Sequence, residues 1–175
     1  MGDRPQFLEF SLNGATARAE LLWDKAPKTC EAIVAQLPIE SFAVHGKNSG
    51  AEALLLTPSV IKDLPQDGSE NATTDHQLLD VMFGFEPAGS CAMGAGSSDA
   101  SEIAWIYHPA AQACFWVSEH GYPHDKPPFK RAAANLNVFA RFLPDDAASK
   151  LEDFYAASRK LIEMGKTTIT VTAVA

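Results

Sequence analysis

The stretch Leu22-Trp23-Asp24-Lys25-Ala26-Pro27-Lys28-Thr29-Cys30-Glu31-Ala32-Ile33-Val34-Ala35-Gln36-Leu37-Pro38 constrains the fold more than any other part of the chain. It reads as a strand end, a turn, one short helix and a stop. Pro27 suits the first helical turn, where its fixed φ fits and its missing N–H would have had no partner. Cys30, Ile33, Val34 and Leu37 recur at the spacing of one helical face, while Lys28 and Glu31 lie off it. Pro38 disfavours helical geometry at Leu37 and marks the end. A helix of roughly three turns is too short to hold itself together in water, so it must pack its apolar stripe on something else.

The flanks supply that partner as strands. Leu8, Phe10 and Leu12 alternate with Phe7, Glu9 and Ser11; Asn13-Gly14 then gives the strongest two-residue hairpin signal, and Ala15 to Leu22 alternates again. The alanines Ala15, Ala17 and Ala19 on one side predict that something packs closely there. After Pro38, Ser41 to His45 runs into a loop rich in Gly, Asn and Ser, and a strand over Ala51 to Thr57 is stopped by Pro58. Residues 62–77 are polar and irregular and read as a long surface insertion; its sequon Asn71-Ala72-Thr73 carries no weight without a secretory leader. Further strands are expected over Leu78 to Phe85, Glu102 to His108, Gln112 to Ser118 and Asn137 to Leu143, with a proline-rich loop over 119–131. Pro144-Asp145-Asp146 opens a second helix with acidic groups at its positive end. Leu151, Phe154, Tyr155, Ser158, Leu161 and Ile162 keep helical spacing, and Gly165 ends it before a β-branched strand from Thr167 to Val174. About seven or eight strands joined mostly by hairpins, with two helices, predict a mostly β (α+β) closed antiparallel barrel rather than a parallel sheet.

Composition narrows the function classes. At 175 residues the chain makes one domain, 1–175, and its 46% hydrophobic and 21% charged residues are those of a globular protein. No apolar run approaches the roughly 20 residues of a membrane span, and Met1 to Pro5 does not read as a secretory leader, so a soluble cytoplasmic protein is expected. A net charge of −8 argues against nucleic acid, whose non-specific binding draws on clustered Lys and Arg; Lys126, Lys130 and Arg131 are a small cluster that reads as a solvated loop. Cys30, Cys91 and Cys114 form no Cys-x-x-Cys pair and are flanked by apolar residues, which fits reduced core thiols.

A resemblance joins these pieces. The hairpin, the turn Asp24-Lys25-Ala26-Pro27-Lys28-Thr29 and its helix resemble the start of a cyclophilin. Gly89-Ser90-Cys91-Ala92-Met93-Gly94-Ala95-Gly96 is similar to the cyclophilin Gly-x-Leu-Ser-Met-Ala-x-Ala-Gly segment, Glu102-Ile103-Ala104-Trp105-Ile106 sits where that family has Ser-Gln-Phe-Phe-Ile, and Val138-Phe139-Ala140-Arg141 resembles its Val-Phe-Gly-x-Val stretch. The resemblance implies a cyclophilin-like barrel with a ligand cleft on one face. It departs at the chemistry: where prolyl isomerases carry Phe-His-Arg, this chain has Phe42-Ala43-Val44-His45-Gly46, and Glu102, Ile103 and Ala104 replace the glutamine and aromatics of the active face. Loss of the arginine implies loss of isomerase activity. Leu37-Pro38 followed by Gly50-Ala51-Glu52 is similar to uncharacterised bacterial proteins of cyclophilin-like fold, a family of unknown function.

His45, Asn48 and Glu52 follow the first helix closely and have the donors and acceptors to hold an amide, a carboxylate or a small polar ligand; the competing reading makes His45 a loop cap and Glu52 a solvated strand end. Met93, Glu102, Trp105, His120 and Tyr122 complete the residues expected to line a ligand site, though aromatics in strands also serve as core. His108, His120 and His124 with Glu119, Asp125 and Glu102 have the side chains of zinc ligands, but no standard spacing, and Gly121 and Pro123 keep His120 and His124 off a helix. Neither a metal nor a cofactor is expected. The leading expectation is a non-isomerase protein binding a small-molecule or peptide ligand. Its rivals are a hydrolase of amides or esters using a histidine beside a carboxylate, and a homo-oligomerisation or partner-binding module.

Overall fold

Asn13 and Gly14 both adopt positive φ, 51° and 81°, and turn β1 (Phe7–Leu12) directly into β2 (Ala15–Leu21), with Leu12 facing Ala15. That is the two-residue turn whose twist matches paired strands. The computed structural model describes residues 4–46, 50–62, 64, 70–85, 88, 98–109, 135–145 and 150–174, and the backbone of 86, 114–118 and 129–133. Within these residues α1 (Pro27–Val34) follows the hairpin, and then come β3 (Ile39–His45), β4 (Glu52–Leu56), β5 (Ala72–Thr73), β6 (Asp80–Glu86), β7 (Ala100–Ile106), β8 (Cys114–Ser118), β9 (Phe129–Ala133), β10 (Leu136–Phe142), α2 (Leu151–Met164) and β11 (Lys166–Val174).

Eight strands form a closed antiparallel barrel in the order β2-β1-β11-β3-β4-β7-β6-β10, and β10 returns to β2 through Ala140–Leu21, Arg141–Glu20 and Phe142–Ala19. The fold class is therefore the mostly β barrel with two helices that the strand pattern predicts. β5 joins β10 beside Leu136 and Asn137, and β8 and β9 pair with each other as a separate two-stranded sheet.

Alternation along the strands fills the interior. Leu8, Phe10 and Leu12 are fully buried, as are Ala17 and Ala19, against which α2 packs; this is the close approach that the alanine row predicts. Phe10, Trp105, Phe142 and Phe154 meet mostly edge-on, with ring centroids 5.4–6.3 Å apart. Helix α1 buries Thr29, Cys30 and Ile33 and lies against β10, where the Cys30 thiol meets the Phe139 carbonyl at 3.3 Å. No helix among the described residues is long and apolar enough to cross a membrane.

Several boundaries differ from expectation for physical reasons. Helix α1 stops at Val34, because Gln36 and Leu37 donate to Ile33 and Val34, tightening the chain into three-residue turns before Pro38. Helix α2 opens at Leu151 rather than Pro144; Asp145 stays outside and accepts the Leu151 N–H at 2.7 Å. The 119–131 loop loses its end to β9, which starts directly after the last proline, so Lys130 and Arg131 stand on a strand. The 62–77 insertion is no free surface loop at its end. Asn71 Nδ2 donates to the Val138 carbonyl at 2.7 Å, Val138 N–H donates back, and Ala72–Thr73 extends the sheet.

Candidate functional site

Strand β3 ends at His45, which pairs with Ala53 of β4, and Ala53 pairs with Trp105 of β7. Side chains alternate across a strand, so His45 shares the inner face with Ala43, Ala53 and Trp105. Tyr107, two residues past Trp105, shares it too, and its N–H holds the Ala51 carbonyl at 2.9 Å. The His45 and Tyr107 rings stand 6.0 Å apart. His45 Nε2 and the Tyr107 hydroxyl are both buried, and neither has a hydrogen-bond partner among the described residues. Tyr107 is only 4% exposed, and burial pushes its phenol above the usual range, opposed by the charge of Arg159.

Glu52 is buried as well, but as the neighbour of Ala53 it belongs to the opposite, outer face of β4. Its carboxylate lies against the backbone of Gly46, whose N–H donates to the Glu52 carbonyl at 2.8 Å; a Cβ on Gly46 would come 2.9 Å from Glu52 Oε2. Glycine there makes room for the acid. Glu102 is on the same outer face and equally buried, yet it pairs with Leu56 while Glu52 pairs with Ile106. Four residues of strand separate the two acids, about 13 Å at the usual rise. Trp105 points away from both, into the core, where its indole N–H donates to Ser158 Oγ at 2.9 Å.

The structure thus gathers His45 and Glu52 at one barrel end, sets Glu102 apart along β7 and makes Trp105 a core residue. Asn48, Met93, His120 and Tyr122 lie outside the described residues, as does His124; His108 is exposed beside Tyr107. Tyr107 was not among the expected residues, although its alternation with Ile103 and Trp105 already places it on the inner face. No group of three His, Cys, Asp or Glu among the described residues could hold a metal ion.

Two other polar features involve neither His45 nor Tyr107. A shallow hollow of about 480 Å³ lies between the β1–β2 turn and α2, lined among others by Asn13, Thr16, Lys150, Asp153 and Lys160. His76 sits in the chain leading to β6 with its ring nitrogens buried, and burial lowers its pKa from 6.5 against the opposing pull of the Thr73 backbone and the Asp80 and Asp75 charges.

Comparison with known proteins decides the affiliation, because the pattern of one family, a protein of unknown function (DUF3830), matches residues 8–173, from β1 to β11. The chain belongs to the DUF3830 family. No curated protein matches it in sequence. Among solved structures this DUF3830 barrel is similar to McbB in complex with tryptophan, with a TM-score of 0.59 and 14% identity over 95% of the chain, which spans 44% of the McbB chain. It is also similar to the hypothetical protein AF2241 from Archaeoglobus fulgidus, with a TM-score of 0.53 and 20% identity over 99% of this chain and all of that one. At such identities the likeness is one of fold.

Proposed function

We propose that this DUF3830 protein binds a small polar or peptide-like ligand at the barrel end where His45 and Tyr107 share the inner face, and that it is not a prolyl isomerase. One observation carries the reading. Two polar groups flanking β4, His45 Nε2 at the end of β3 and the Tyr107 hydroxyl just past β7, are buried on a shared face without a hydrogen-bond partner among the described residues. Burying such groups unpaired costs on the order of 1–3 kcal/mol each, which a bound guest offsets. The tryptophan held by McbB, a small molecule with both polar and apolar parts, supports a ligand of this class. Met93, His120, Tyr122 and Asn48 remain proposed members of the site on sequence grounds.

The case against isomerisation rests on Phe42 to Gly46, where the cyclophilin resemblance calls for an arginine and the chain has none. The hydrolase reading draws no support at His45, because strand alternation turns Glu52 to the opposite face. Screening free amino acids and dipeptides by thermal shift should find stabilising ligands whose effect is lost in His45→Ala. Acceleration of Xaa-Pro isomerisation above the spontaneous rate would overturn the non-isomerase part, and a screen in which no compound raises the melting temperature would overturn the binding part.

A further inference from the structure

The inner face at this barrel end specifies the ligand more narrowly, on the premise that it is a binding site. His45 and Tyr107 lie on either side of β4, so their backbones stand about 10 Å apart. Their rings narrow that gap to 6.0 Å between centroids. On the same face the intervening chain contributes Ala51 and Ala53, which carry only methyl groups. Ala43, Ala53 and Trp105 are fully buried there, and the single polar atom of Trp105, its indole nitrogen, already donates to Ser158. The two buried polar atoms without a partner are thus set in apolar surroundings.

Charge is kept off this face. The buried charged residues among those described are Glu52, Asp80 and Glu102, and each precedes a core residue, Ala53, Val81 or Ile103, so strand alternation turns all three outward. Lys166 pairs with Val44 and lays its ammonium 4.6 Å from the centroid of the exposed Phe42 ring, on the side away from Ala43 and His45. Burial raises the Tyr107 phenol above its usual range even against the opposing charge of Arg159, so these surroundings disfavour an added negative charge. An ionised guest would lose its hydration here with no buried counterion on the inner face among the described residues. A neutral polar guest needs only a donor and an acceptor to match.

We infer that the ligand enters with an uncharged amide, whose carbonyl accepts from the Tyr107 hydroxyl while its N–H donates to His45 Nε2. The amide suits either tautomer of the imidazole, since a protonated Nε2 and the phenol can share the two lone pairs of the same carbonyl oxygen. It also carries its donor and acceptor on separate atoms, which lets it reach two groups held on opposite sides of β4. A carboxylate has no donor for a bare Nε2, and an alcohol must serve both groups with one oxygen.

Titrating the isotope-labelled full chain with benzamide, sodium benzoate and benzyl alcohol, at pH 7 and constant ionic strength, tests this by backbone NMR. Benzamide is expected to give saturable shifts at His45, Ala53 and Tyr107, with the other two compounds binding at least roughly tenfold more weakly. Tyr107→Phe removes only the unpaired hydroxyl and keeps the ring, so it should fold as the wild type does and bind benzamide roughly tenfold more weakly, the size expected for one lost hydrogen bond. Benzoate or benzyl alcohol binding as tightly as benzamide, or benzamide binding untouched by Tyr107→Phe, would overturn the amide assignment while leaving the binding site standing. If none of the three shifts these residues the assignment also fails, and the amino-acid and dipeptide screen decides separately whether the barrel end binds anything.

Discussion

Gly84 and Glu102 face each other across β6 and β7 with no space between them: a Cβ on Gly84 would lie 2.8 Å from Glu102 Oε1 and 3.0 Å from Leu136 Cδ2. Both neighbours are buried, so neither can swing into water. Gly84→Ala is expected to destabilise the protein by about 1–3 kcal/mol, read as a lower urea midpoint with an unchanged slope. An unaltered midpoint would mean that Glu102 yields freely. Cys30 makes a contrasting case, since burial first and the charge of Glu70 second push its thiol up to about 12. Iodoacetamide at pH 8 should leave Cys30 unmodified in the native protein and label it once denaturant is added, as mass mapping will report. His76 gives a pH signature. Burial lowers its folded pKa below the ordinary 6.5, so the unfolded chain takes up the proton first; stability is full above about pH 6.5 and declines as pH falls through the folded value. Melts of wild type and His76→Leu across that window should diverge in slope, and parallel curves would count against the assignment. Glu52 and Glu102 were legible in the sequence as acids worth noticing, but their separation was not, because strand register is set by pairing partners that spacing along one chain does not reveal.

The start of α1 shows what a single element owes to distant residues. Its first N–H groups have no partner inside the helix, and Ala26 at the cap position offers no side-chain acceptor. Glu70 supplies one: its carboxylate accepts from Lys28 N–H at 2.8 Å, Thr29 N–H at 3.1 Å and the Thr29 hydroxyl at 2.5 Å. The same contact pins the end of the 62–77 insertion. Glu70→Ala should therefore cost about 1 kcal/mol of stability, the usual loss of a helix cap, and speed amide exchange at both Thr29 and Asn71. Exchange rising at only one of them would show that helix and insertion are not coupled. The apolar stripe of α1 and its proline start were readable from spacing. The cap was not, because its donor residues and Glu70 lie 42 and 41 positions apart. In α2 the reverse holds. Its stripe from Leu151 to Leu161 and its Gly165 stop, at φ 78°, were evident locally; Ile162, expected on the stripe, is exposed, and the start is displaced by an aspartate that bonds the helix without joining it.

At the scale of the whole molecule, the barrel was foreseeable because its hairpin turn, alternating strands and two short helices each point to closed antiparallel packing. The seam that closes it, three residue pairs between β2 and β10, left no mark in the sequence, since no local pattern names a strand's second neighbour. Arg141 in that seam also reaches Asp80 at 3.0 Å, and the Asp80 side chain is 2% exposed. Asp80→Ala would strip the buried acceptor from Arg141 and from the Gln77 N–H, with an expected loss of about 1–3 kcal/mol in a denaturant titration. A further consequence lies in the position of β11, which sits between β1 and β3 and pairs Phe7 with Val174. During synthesis two strands made early must therefore wait, with backbone edges unpaired, until the nine residues of β11 emerge. Until then the chain presents two open strand borders and cannot close its core, so exposure to edge-to-edge association lasts until the final strand is in place.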